Sequence, residues 1–158
     1  MNDPFIEIHD LLRDKRHEDA LGKIYDKARG AIKRDFQSDE NHAWYIVGDI
    51  FFKQSNYEMA AHSFKKSLES REDDLEACCA LANAYSTMNM PDKSAVCLIA
   101  ALKHKPDSSI LNYNLGNAYF DMGKHKKAIR HYERVLPQHE DIYEMAQKNI
   151  QRAKKLAS

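Results

Sequence analysis

The chain has 158 residues, enough for one domain or a short run of repeats, and 43% of them are apolar, enough to bury a core rather than stay disordered. Twenty-four Lys and Arg balance 24 Asp and Glu, so the formal net charge is zero. That balance argues against nucleic acid as the main ligand, because duplex binding draws on unbalanced cationic contacts to phosphate; a local basic patch stays open. Taken in chain order, the first signal is Asp3 as a cap with Pro4 opening a helix through about Arg13. The start, MNDPFIEIHDLLRDKR, mixes acids with its apolar residues and holds no secretory core. For a chain that starts at Met1, the expected location is the cytoplasm. A second helix, about His17–Asp35, aligns Ala20, Leu21, Ile24 and Ala28 on one stripe. Residues 1–40 thus read as a degenerate helical hairpin, offset from the next hairpin by about six extra residues.

From residue 41 the chain repeats every 34 positions. Trp44, Gly48 and Phe51 are followed by Cys78, Ala82 and Tyr85, then by Asn112, Gly116 and Tyr119. The second half of each unit keeps step: Tyr57, Ala60 and Phe64, then Pro91, Ser94 and Leu98, then His125, Ala128 and Tyr132. Such a period with small residues at fixed places signals stacked helical hairpins. Three units result, 41–74, 75–108 and 109–142. In the first, a helix over about Asn41–Lys53 and another over about Tyr57–Ser70 flank a break at Ser55–Asn56. Asp73, with Glu76 three residues on, is expected to cap the next unit. The second unit turns at Asn89–Met90 and restarts at Pro91; the third turns at Gly123, and Pro137 ends its return helix early. Small residues at Gly48, Ala82, Gly116, Ala60, Ser94 and Ala128 let paired helices cross closely. The aromatic residues Phe51, Tyr85, Tyr119, Phe64 and Tyr132 are expected to fill gaps between hairpins. Residues 143–158 form a C-terminal capping helix with Ala146, Ile150 and Ala153 inward and Lys148, Arg152, Lys154 and Lys155 outward, after a cap at Asp141. About nine helices and no β-sheet are expected.

The segment LGNAY at Leu115–Tyr119, with Gly123, Ala128, Ile129 and Tyr132, resembles the tetratricopeptide repeat family. LANAY at Leu81–Tyr85 and WYIVGDIF at Trp44–Phe51 carry the same likeness. It departs from the family pattern at Pro91 and His125, which replace an aromatic in the turn, and at Glu72 and Glu140, where a unit-closing proline is common. The resemblance implies an all-α fold, an α-solenoid of stacked antiparallel hairpins in a right-handed superhelix with first helices lining the concave side. By position, that groove would be lined by Tyr45, Asp49 and Phe52, then Cys79, Asn83 and Ser86, then Tyr113, Asn114, Asn117 and Phe120, with Lys148 and Gln151 from the C-terminal helix. Aromatic rings would supply contact area and amides would bond an extended backbone.

The resemblance also implies a non-catalytic adaptor or assembly factor whose partner is a protein or extended peptide. The family's carboxylate clamp for acidic chaperone tails uses Lys and Asn on one first helix, Asn on the next, and Lys and Arg on the third. Here those places read Tyr45, Asp49, Ala80, Ile110 and Asn114, or one unit later Cys79, Asn83, Asn114, Glu144 and Lys148. Strong clamp binding is therefore not expected. A self-associating scaffold is the alternative reading, with a monomer or weak homo-oligomer expected, and RNA binding through Lys148–Lys155 is a weaker one.

Chemistry finds little support in the residues. Eight histidines show no HxxxH pair, and His125 and His131 are six apart, so surface histidines are expected rather than a metal site. No GxxxxGK[ST], GxGxxG or GxSxG motif occurs. The carboxylates of Arg71–Asp74 suit a turn. Cys78, Cys79 and Cys97 have no CxxC spacing, which suits free thiols; Cys79 would face the groove, and nothing near it in sequence would activate it. No apolar run approaches the roughly 20 residues of a membrane span. No catalytic residue, metal or cofactor is expected.

Overall fold

The computed structural model describes residues 3–157. It divides into two compact units, Met1–Glu72 and Asp73–Ser158. Nine α-helices occur among the described residues, as expected, and consecutive helices pack as pairs within each unit.

The first unit opens with α1 (Phe5–Arg13) and α2 (His17–Ile24). The Asp3 carboxylate accepts the Phe5 N–H at 2.9 Å, as the cap reading required. The expected helix through Asp35 stops at Ile24 instead. A short antiparallel ribbon comes next, β1 (Tyr25–Asp26) and β2 (Ala31–Ile32), then a 3-10 helix at Arg34–Asp39. This corrects the expectation of no β-sheet. Two local features hold the turn: the Asp26 carboxylate accepts the N–H groups of Ala28 and Arg29, and Gly30 takes φ +62°. Tertiary packing supplies the drive. Tyr25, 7% exposed, sets its ring edge-on to Trp44 and to Phe51, each 5.9 Å away. Ile32 and Phe36, further along the same stretch, are also buried. Burying these side chains outweighs continuing an exposed helix through Lys27–Gly30.

The unit ends with the hairpin α3 (Glu40–Lys53) and α4 (Tyr57–Ser70). Asp39 and Asn56 cap them, accepting N–H groups of His42 and Met59. Where the helices cross, Gly48 is required: a methyl there would stand 2.6 Å from Phe64 Cε1. At the open end, the buried Asn41 amide donates to the Ser67 carbonyl and hydroxyl, and that hydroxyl returns a bond to the Asn41 carbonyl. Both polar side chains are thereby satisfied.

The second unit holds α5 (Leu75–Thr87), α6 (Pro91–His104), α7 (Ser109–Asp121), α8 (His125–Tyr132) and α9 (Glu140–Ala157). Asp74, one residue later than expected, caps α5 by accepting the Ala77 N–H at 3.0 Å. Asp141 lies inside the first turn of α9 rather than capping it. Gly116 repeats the role of Gly48, since a methyl there would lie 2.5 Å from Tyr132 Cε1. Phe64 and Tyr132 thus press on the glycine of their own hairpin instead of filling gaps between hairpins. α8 ends five residues before Pro137 because a proline ring would clash with the carbonyl four positions back, at Glu133.

All four hairpin turns close alike. Lys15, Ser55, Asn89 and Gly123 adopt positive φ. The next N–H reaches back five residues, as in Asn56 to the Phe51 carbonyl and Lys124 to the Tyr119 carbonyl. These are Schellman closures. Ser55, Asn89 and Gly123 are 34 apart, whereas Lys15 precedes Ser55 by 40, so the six extra residues fall in the stretch that contains the ribbon and the 3-10 helix.

Candidate functional site

In the second unit, the first helices α5, α7 and α9 lie side by side, α7 in contact with both. Named pairs mark the seams. Asn114 on α7 lies beside Cys79 of α5, close enough to oppose the rise of its pKa. On the other side, the Tyr113 hydroxyl meets Met145 sulfur at 3.7 Å, Asn149 donates to the Asn117 carbonyl oxygen at 3.2 Å, and the Arg152 guanidinium lies 5.2 Å from the Phe120 ring centre. The last is a cation–π contact. Each of these three pairs is 32 residues apart, two short of the repeat, because α8 is short and α9 starts early.

This arrangement sorts the expected groove residues of the unit. Asn83, Ser86, Lys148 and Gln151 are exposed on the outer helices α5 and α9. Cys79, Tyr113, Asn114, Asn117 and Phe120 are half-buried. Asn117 is no spare amide: its carbonyl oxygen also accepts the hydroxyl of the buried Tyr132 at 2.8 Å. Removing the Asn117 side chain would therefore also leave the Tyr132 hydroxyl without this acceptor. Ser86 gives its hydroxyl to Ser94, while the Asn83 carbonyl takes the Thr87 hydroxyl.

The residues expected to line the groove in the first unit have local partners. The Tyr45 ring tilts on Phe64 at 5.6 Å, Asp49 pairs with Lys53 of its own helix at 2.6 Å, and Phe52 meets Tyr57 edge-on at 5.1 Å.

The thiols are quiet. Burial raises the Cys79 pKa, and the neighbouring Asn114 offsets only part of that. Burial and the neighbouring thiols push Cys78 up to about 12. Neither is poised as a thiolate near neutral pH. His131 is held below its ordinary value, first by burial and then by the Arg134 charge. Its Nδ1 lies 3.0 Å from the Asn112 carbonyl oxygen, and its ring stacks on Tyr119. His131 is therefore a packed, bonded side chain rather than the surface histidine the sequence suggests.

At the end of α9, an open hollow of about 500 Å³ is lined by Gly123, Lys124, His125, Lys126, Lys127, Leu156 and Ala157, with no acid among them. Its two walls are more than 25 residues apart in sequence, so no local motif announces it. No helix of the described residues is long and apolar enough to cross a membrane.

Comparison with known proteins places the chain. Models of the tetratricopeptide repeat match residues 42–74, 75–108 and 111–142, more than half of its length. The chain belongs to the tetratricopeptide repeat family, whose fold is in general a non-catalytic protein-interaction fold. It is similar in structure to the first such domain of Spaghetti (RPAP3), solved bound to the HSP90 peptide SRMEEVD. That match has TM-score 0.69 and 21% identity, and covers 77% of this chain and 96% of the other. The Sgt2 domain from Aspergillus fumigatus matches with TM-score 0.66 at 22% identity over 73% of this chain and 78% of that one. MamA from Desulfovibrio magneticus RS-1 matches 99% of this chain and 97% of its own, at TM-score 0.68 and 18% identity. No curated protein sequence matches the chain.

Proposed function

We propose that the chain is a non-catalytic interaction module that holds an extended peptide or protein segment on the α5–α7–α9 side of its second unit. The observation that supports this reading is the division of labour on those helices. Asn83, Ser86, Lys148 and Gln151 stand exposed on the outer two, flanking half-buried Tyr113, Asn114 and Phe120 on the middle one. Exposed amides, a hydroxyl and a cation can bond a peptide backbone and an acidic side chain, while the rings offer apolar area.

A partner captured by the wild-type protein tests it. Asn83→Ala combined with Lys148→Ala should weaken affinity about tenfold or more, since each lost bond is worth about 0.5–1.5 kcal/mol and bonds to charge somewhat more. Circular dichroism should stay unchanged, because both side chains are exposed. Unchanged affinity in the folded double variant moves the site to the second-helix faces.

The peptide SRMEEVD should bind no tighter than about millimolar, or roughly −4 kcal/mol. Asp49, set where the clamp needs an asparagine, would repel its carboxylates. A second reading, self-association, is favoured by Val96 and Ile99, one turn apart on α6 and 68% and 41% exposed. Light scattering of the wild type and of Val96→Glu separates the two readings.

A further inference from the structure

The sequence places no two histidines at a metal-binding spacing, yet packing in the first unit brings His9 of α1 to His42 of α3 across 33 residues. Their Nε2 atoms lie 3.3 Å apart. The ring centres are 5.3 Å apart with the planes at 41°. The backbone N–H of His42 donates to the Asp39 carboxylate as part of the helix cap, and the Phe5 ring tilts against the His42 imidazole at 4.8 Å. His9 is exposed, so the pair opens to solvent.

The distance is compatible with two uses of such a pair. Hydrogen bonds donated by nitrogen usually span about 2.7–3.2 Å. Two imidazole nitrogens on one tetrahedral ion, each about 2.0–2.1 Å from it, are separated by about 3.3–3.4 Å. The observed 3.3 Å accommodates a hydrogen bond between the rings and equally matches the spacing of two donors on one ion. Both facing atoms are Nε2, a nitrogen through which neutral imidazole binds metals.

We propose that His9 and His42 chelate one divalent transition-metal ion through their Nε2 atoms. Among the described residues no group of three or more metal-binding side chains converges, so the chain supplies two ligands and water the rest. Nitrogen donors select the copper, nickel and zinc class over calcium and magnesium, which take oxygen. Two ligands make an ion site of moderate strength with open positions, and the ion fastens α1 to the start of α3. This site is independent of the peptide-binding reading and stands or falls separately from it.

Zinc chloride is the probe. Calorimetry should find one ion per chain, and the melting midpoint should rise with zinc concentration, because a ligand that binds only the folded state stabilises it. His9→Ala removes an exposed side chain and should keep its fold. It should bind zinc about tenfold more weakly or worse, and lose the midpoint shift. His9→Gln, which keeps a polar side chain without the second ring donor, should behave the same way. In the wild type, the Nε2 resonances of both His9 and His42 should move together on titration. Equal zinc affinity in wild type and both His9 variants overturns the proposal, as does a wild type that binds no zinc.

Discussion

The hairpins α3/α4 and α7/α8 occupy the same repeat position and fill it with opposite chemistry. The inward place on the first helix is Trp44 in one and Asn112 in the other, 68 residues on, and both are buried. Trp44 packs edge-on against Tyr25 and His62. Asn112 donates to the carbonyls of Pro106 and Ser108 and pairs with His131. Between them, α5/α6 puts Cys78 at that place. The crossing point shows the converse. Gly48 faces Phe64 and Gly116 faces Tyr132, whereas the middle hairpin uses Ala82 with Leu98, both buried. The hairpin therefore keeps the volume of a facing pair rather than the identity of a residue.

The largest expected effect separates the two inward places. Trp44→Ala should cost about 3–5 kcal/mol by leaving a cavity beside Tyr25. A near-neutral thermal shift would mean that Trp44 contributes little packing.

The crossing gives the next largest effect. Glycine to alanine normally favours a helix by about 1 kcal/mol. At Gly48 the sign should reverse, to a loss of about 1–3 kcal/mol, because the aromatic ring must move. Phe64→Leu in the same chain would copy the Ala82–Leu98 pair. It should recover much of the loss, seen as a favourable coupling in a double-mutant cycle from denaturant melts. Strict additivity would show that the pairs are independent.

The smallest effect concerns pH at the polar hairpin. His131 has a lowered pKa when folded, so the unfolded chain takes up its proton first as pH falls below the ordinary 6.5. Stability from this group is complete above pH 6.5 and is lost as pH drops through the folded value. His131→Gln should flatten that part of the profile of melting midpoint against pH. An unchanged profile would assign the slope to other groups.

What the sequence by itself determined was whatever recurs or acts over short range. The 34-residue step set the three hairpins. Pro91 and Pro137 marked a start and a stop, and Gly48 and Gly116 marked the crossings, because each of these is a steric rule on the backbone or on a facing pair at fixed separation. Candidate groove residues could be proposed from register, but register does not say which of them already have partners.

Only the tertiary structure decided the rest. The second helix gave way at Tyr25 because that ring gains more by packing on Trp44 and Phe51 than the segment gains as an exposed helix. Asn117 turned inward to serve Tyr132 and Asn149. His131 found Asn112, and His9 found His42. Each of these meetings joins side chains 15 to 33 residues apart on different elements. Their distances depend on how those elements pack, and a linear pattern of residue types does not carry that.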